Sequence, residues 1–126
     1  MHAEQRKYIR FSVHDNTFAA LGSGFETVGK VNDISIKGLT LSYVCERIKA
    51  TPDTCFSQVD ILLSGSSFHL HKVHCKIVYD IQDPKSKNNG SIVIRRCGLQ
   101  FGKLSKSQSD LLDLLLENYT TEPLST

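Results

Sequence analysis

The chain has 126 residues, a length that suits one domain with one core. Hydrophobic residues make up 40% and charged residues 22%, an ordinary globular balance, and a formal net charge of +2 is too small to support broad nucleic-acid binding. No apolar run is long enough to span a bilayer and the first residues do not look like a signal peptide, so a cytoplasmic location without membrane insertion is expected.

The chain opens with Arg6-Lys7-Tyr8-Ile9-Arg10, a basic segment that precedes the first regular element. Residues 12–21 read as a strand, although they alternate poorly. Gly22-Ser23-Gly24 is a turn. Residues 27–34 alternate, with Val28, Lys30, Asn32 and Ile34 on one face and Gly29, Val31 and Asp33 on the other. Asp33-Ile34-Ser35-Ile36-Lys37-Gly38 then reverses the chain into a strand over 38–43, where Leu39 and Leu41 share a face. The polar stretch 46–54, with Pro52, is a connection. Residues 58–63 form a strand with Val59, Ile61 and Leu63 on one side.

Residues 68–81 form a long strand whose apolar register slips from Phe68 and Leu70 to Val73, Cys75, Ile77 and Tyr79. A slip of one residue predicts a β-bulge or a strong bend. Residues 83–90 make a hairpin loop, and 91–101 make the last strand, carrying Ile92, Ile94, Leu99 and Phe101. Ser105 and Gln108 form a capping box that opens an amphipathic helix over 105–119, with Leu111, Leu112, Leu115 and Tyr119 on one stripe. The tail from Thr120 is expected to fray. The sum is an all-β domain, a six-stranded antiparallel barrel with one terminal helix packed on an open end. A barrel of this size is filled by its own side chains, so ligands bind outside, at strand ends and loops. That architecture favours a binding module over an enzyme, and no catalytic residues are expected: no nucleophile–base pair, carboxylate pair or phosphate loop is visible.

Two short pieces carry the chemistry. Arg6 and Arg10 are spaced RxxxR, and after 22 residues Asp33, Ser35 and Gly38 are spaced DxSxxG. Arginine forks bind phosphates and the O6/N7 edge of guanine in bidentate fashion. A carboxylate accepts hydrogen bonds from guanine N–H groups, and a serine beside a glycine turn can meet a base or a phosphate. The remaining cations fall in local clusters (Lys72 and Lys76, Lys85 and Lys87, Arg95 and Arg96), which serve a small anion without a globally basic surface.

In this order and at this spacing, the two pieces resemble the signature of the PilZ domain family, bacterial receptor modules for cyclic di-GMP. The resemblance extends along the chain: Arg96-Cys97-Gly98-Leu99-Gln100-Phe101 is similar to the family's closing strand, and the Leu-rich helix after Leu104-Ser105 is also similar. It implies a six-stranded barrel and a cyclic di-GMP site. Arg6 and Arg10 would lie on a flexible segment, residues 1–11, that wraps the ligand against a barrel over 12–102. Lys7 would add a point charge, Asp33 would accept from a guanine, Ser35 would bond a base or phosphate, and Gly38 would allow close backbone approach. Gln5 departs from the family, which often carries an arginine there, and leaves the ligand stoichiometry open. The implied function is a cyclic di-GMP receptor, without a cofactor, that signals through ordering of the N-terminal segment to an unidentified downstream protein. The alternative is an interaction adaptor of pilus or flagellar machinery with weak or no nucleotide binding.

Other clusters read as ordinary. His69, His71 and His74 beside Cys75 lack a second ligand pair at zinc-site spacing, so half-buried strand histidines and no metal site are expected. Cys45, Cys55, Cys75 and Cys97 contain no CxxC pair and read as reduced thiols. There is no Trp, and most Phe and Tyr positions read as core, so a stacking platform for DNA or RNA is not expected. The leucines of the helix fit a core face, or a homodimer contact in place of a monomer.

Overall fold

Period-two alternation of β-branched and leucine side chains sets the architecture. The computed structural model describes residues 8–46, 57–85 and 90–124. The strands are β1 (Phe11–Val13), β2 (Thr17–Leu21), β3 (Thr27–Ile34), β4 (Gly38–Glu46), β5 (Gln58–Leu63), β6 (His69–Gln82) and β7 (Ile92–Phe101). Helix α1 (Lys106–Asn118) and strand β8 (Thr120–Pro123) follow. The hydrogen-bonded order β2-β5-β6-β7-β4-β3 is closed by a β2–β3 pairing, which makes a six-strand antiparallel barrel with no free edge. Val31, Leu39, Leu41, Val59, Ile61, Leu70, Val73, Cys97 and Leu99 fill its interior.

Three irregularities decide which side chains face out. In β3, Val31 pairs with Leu41 and Asp33 with Thr40, so Asn32 is an extra residue. The bulge reverses the alternation expected from sequence: Ile34 turns into the core, and Asp33 moves to the outer face beside Thr40. In β6, Val59 pairs with Val73 and Ile61 with Leu70, so His71 and Lys72 together oppose Asp60. Lys72 takes φ 49°, the left-handed conformation a bulge demands. This is the slip that the apolar register predicted. A second bulge, at Val78, sets Ile77 against Leu99 and Tyr79 against Gly98.

The helix behaves as its sequence implies. Ser105 Oγ accepts from Gln108 N–H, and Gln108 Oε1 accepts from Ser105 N–H, closing the capping box. Leu112 and Leu115 are buried, and Tyr119 packs on Phe68 with ring centroids 5.6 Å apart. The Gln108 amide also donates to the carbonyls of His71 and Lys72, tying the helix start to the β6 bulge.

Two expectations are corrected. The tail from Thr120 does not fray: β8 pairs with β1 (Phe11 with Pro123, Val13 with Thr120), and Leu124 N–H donates to Arg10 O at 2.8 Å. Strand β1 also pairs with β3, so β8 covers an edge that β1 would otherwise expose, and Phe11 already lies in the sheet. Nor do Arg95 and Arg96 form a surface cluster. Neighbours on a strand point to opposite faces, so Arg95 turns inward and is buried. Its Nε donates to Asp80 Oδ1 at 2.8 Å, and Tyr43 O–H donates to Asp80 Oδ2 at 2.6 Å. Burial works against the Arg95 charge, but the Asp80 carboxylate outweighs it and holds the guanidinium's pKa up. Burial and then Asp80 push the Tyr43 phenol well above its ordinary range. The expected connection over 46–54, the loop tip with Lys87, and Cys55 lie at least partly outside the described residues, whereas Cys45, Cys75 and Cys97 are free thiols.

Candidate ligand-binding site

The hairpin between β3 and β4 is built by its own polar groups. Ser35 N–H donates to Gly38 O at 2.8 Å, and Ser35 Oγ accepts from Lys37 N–H at 3.1 Å, which pins the turn. Phe101 N–H donates to Lys37 O at 2.7 Å, locking the tip to the end of β7. Gly38 is required by the fold itself. A Cβ there would sit 2.2 Å from the Leu99 carbonyl oxygen, so the β4–β7 approach leaves no room for a side chain. The clearance that the resemblance assigns to a ligand is taken up by the neighbouring strand.

Beside this turn the two sequence motifs meet. Arg10, just before β1, donates from Nε to Asp33 Oδ1 at 2.8 Å, and its Nη2 bonds the same oxygen. Thr40 O–H donates to Asp33 Oδ2 at 2.9 Å. Both carboxylate oxygens are therefore held, on the face to which the Asn32 bulge delivered them. The pair is partly covered, the Arg10 side chain being 25% exposed and Asp33 14%. β1 pairs with β3 through Ser12 opposite Asp33, which brings Arg10 to the end of that ladder.

A cleft of about 470 Å³ opens next to the pair, within the range of about 300–1,000 Å³ usual for small-molecule sites. The turn (Ser35, Lys37, Gly38) and Thr40 form one side, and Gly98–Gln100 of β7 with Val78 and Tyr79 of β6 form the other. Tyr8 and Arg10 stand at its N-terminal rim, and Lys37 Nζ lies 5.2 Å from the centre of the Tyr8 ring, a cation–π contact. Gly98 is the seat of Tyr79: a Cβ there would come within 2.3 Å of that ring. The cleft thus combines a guanidinium fork, an ammonium, hydroxyls and two aromatic rings, with the Asp33 carboxylate held behind Arg10 and Thr40. That set suits a flat, polar, anionic ligand.

Arg10, Ser35 and Gly38 line the cleft, and Asp33 adjoins it through Arg10 and Thr40. Arg6 and Lys7, and Gln5 with them, lie outside the described residues. Tyr8, Lys37, Thr40, Tyr79 and Gly98 were not singled out from sequence. Thr40 follows the motif glycine by two positions, which puts it next to Asp33 only once the bulge is known.

No protein-family model and no curated protein matches the sequence. Solved structures match the fold closely. The PilZ domain of YcgR from Escherichia coli, with c-di-GMP, aligns over 90% of this chain and 91% of its own, with a TM-score of 0.64 and 12% identity. The fold is that of a PilZ domain. The K. pneumonia MrkH–c-di-GMP complex gives the same TM-score of 0.64 at 15% identity, covering 92% of this chain and 52% of MrkH. YcgR in complex with c-di-GMP, also from Escherichia coli, is covered over 45% of its length. The chain spans about half the length of these two larger proteins.

Proposed function

We propose that this protein is a receptor for cyclic di-GMP, binding it in the cleft between the Arg10–Asp33 pair and Tyr79, and that it carries out no catalytic step. The observation behind this reading is the convergence of both motifs on one cleft: Arg10 from the first clasps Asp33 from the second, with Ser35, Lys37 and Gly38 alongside. Likeness of fold to PilZ domains solved with c-di-GMP supports the same ligand.

The division of labour follows from the groups. Thr40 keeps one edge of the Asp33 carboxylate oriented, so that the other can accept from guanine N1–H and N2–H when Arg10 moves onto the ligand. The Arg10 fork then engages a phosphate or the O6/N7 edge, exchanging one charge-assisted partner for another. Ser35 has its hydroxyl proton free to donate after accepting from Lys37 N–H. Tyr79 supplies a face for a base. Arg6 and Lys7 precede Tyr8, which lines the cleft, by two residues and one, and two residues reach at most about 7 Å. In this reading they add positive charge toward the ligand, and closure of the segment ahead of β1 over the ligand is the signal passed to a downstream protein in the bacterial cytoplasm. Each charge-assisted bond contributes about 1.5–3 kcal/mol, offset by the entropy of fixing the segment.

The test is residue-level mapping by amide NMR shifts during titration with cyclic di-GMP. Shifts concentrated at Ser35–Thr40, Tyr79 and Gly98–Gln100 support the reading. Saturable binding whose shifts fall elsewhere on the barrel removes the site assignment. Shifts that do not move with nucleotide at all favour the adaptor alternative.

A further inference from the structure

Away from the cleft, the bulge in β6 assembles a second chemical site. We propose that Asp60, His69 and His71 bind a single divalent transition-metal ion of the zinc class, with solvent completing four-coordination.

Asp60 lies on β5 opposite the two-residue bulge, and its side chain is only 4% exposed. A buried carboxylate calls for compensation. Lys72 N–H donates to Oδ1 at 3.1 Å, fixing the carboxylate and leaving Oδ2 to face the histidines. His69 Nε2 lies 2.7 Å from Oδ2, and His71 Nδ1 lies 3.7 Å from it. One ligand atom from each of the three residues can be chosen so that all lie within 4.8 Å of one another.

With zinc–nitrogen and zinc–oxygen bonds of about 2.0–2.1 Å, the edge of a tetrahedron is about 3.3 Å. The two observed distances fall on either side of it. An ion would open the closer contact and draw in the longer one. The imidazoles are stacked, with centroids 3.6 Å apart and planes 23° from parallel. Convergence on one ion requires the two rings to splay. His71 can turn, because its side chain is 63% exposed. His69, at 27%, stays against the carboxylate. Two neutral imidazoles and one carboxylate form a donor set that leaves a fourth position open. The same bulge receives the Gln108 amide, so an ion here would also fix the start of α1 on the barrel.

Sequence spacing could not reveal this trio. His69 and His71 share a strand face by their i, i+2 spacing, but the third ligand comes from a different strand, brought opposite by the bulge.

The experiment titrates the metal-free full chain, under reductant, with Co²⁺ and then Zn²⁺ by visible absorption. The variants are His71→Ala, His69→Ala and Asp60→Asn, with circular dichroism as the check on folding. Expected are one equivalent of Co²⁺ with tetrahedral d–d bands and no sulfur charge transfer, displacement by Zn²⁺, and affinity at least tenfold weaker in His71→Ala. Because His71 is exposed, that variant keeps the fold even if Asp60→Asn does not. Absence of saturable binding overturns the proposal. So does undiminished binding in His69→Ala and His71→Ala, or thiolate-to-cobalt charge-transfer bands, which would assign the metal to a cysteine.

Discussion

Replacing Gly38 with alanine separates a fold requirement from a ligand requirement. The added Cβ would meet the Leu99 carbonyl oxygen at 2.2 Å, Gln100 Cα at 3.1 Å and Leu99 C at 3.2 Å. All three obstacles are backbone, so no rotamer change relieves them. β4 and β7 must part by about 1 Å, within a ladder that runs from Gly38–Gln100 to Glu46–Ile92. Overpacking typically costs about 1–3 kcal/mol, and a backbone obstacle places this substitution near about 3 kcal/mol. With an unfolding entropy of about 2.1 cal/mol/K per residue, a chain of 126 residues has about 0.26 kcal/mol/K, so the melting temperature should fall by about 11 °C. Gly90→Ala is the control. Nothing lies within 4 Å of its Cβ position, and the change should be neutral or stabilising by up to about 1 kcal/mol. Urea and thermal denaturation followed by circular dichroism give both values. A Gly38→Ala protein as stable as the parent, yet unable to bind cyclic di-GMP, would refute the steric argument and return the glycine to ligand clearance.

Other consequences follow from the barrel interior and the helix. Asp80→Ala removes the carboxylate from the buried Arg95, whose Nη2 keeps only the residue-80 carbonyl, and the acceptor from the half-buried Tyr43; it should cost about 3 kcal/mol in urea denaturation. Replacing Asp80 and Arg95 together by apolar residues should recover much of that loss. Ser105→Ala removes the cap that accepts from Gln108 N–H and should cost about 1 kcal/mol, read by thermal melting. Burial pushes the Cys75 thiol up to about 11 and, with Asp80 and Cys75 adding to it, the Cys97 thiol up to about 12, from an ordinary 9. The folded chain then keeps protons that the unfolded chain has released, so this contribution is intact below pH 9 and is lost as pH rises through 11 to 12. Stability measured across that window should decline, and less steeply in Cys97→Ala.

The sequence carried the fold because period-two alternation and the capping box are local signals. Leu39 and Leu41, Val59 and Ile61, and Leu112 and Leu115 are buried where their spacing put them. The β6 bulge was legible too, since its apolar register visibly slips. The β3 bulge was not: Val28, which is exposed, shares the alternating face of Ile34 and so hid the three-residue step from Val31 to Ile34. Asp33 was therefore placed on the wrong face of its strand, although its role in the motif was recognised. Strand β8 escaped notice because it pairs with residues more than a hundred positions away and ends in Pro123, which argues against a strand by local rules. Arg95 looked like a surface cation because Asp80 and Tyr43, which make its burial tolerable, come from two other strands. In the site, Arg10, Ser35 and Gly38 were legible as motif residues. Thr40 and Tyr79 were not, since each gains its position only from a bulge.

Isothermal titration calorimetry of cyclic di-GMP into the full chain and its Arg10→Ala variant, with GTP and cyclic AMP as controls, tests the central claim most directly. The account predicts saturable binding at micromolar or tighter affinity for cyclic di-GMP alone, weakened at least tenfold, or about 1.4 kcal/mol, in Arg10→Ala. No heat at several temperatures from a folded protein, or equal affinity in parent and variant, would contradict it.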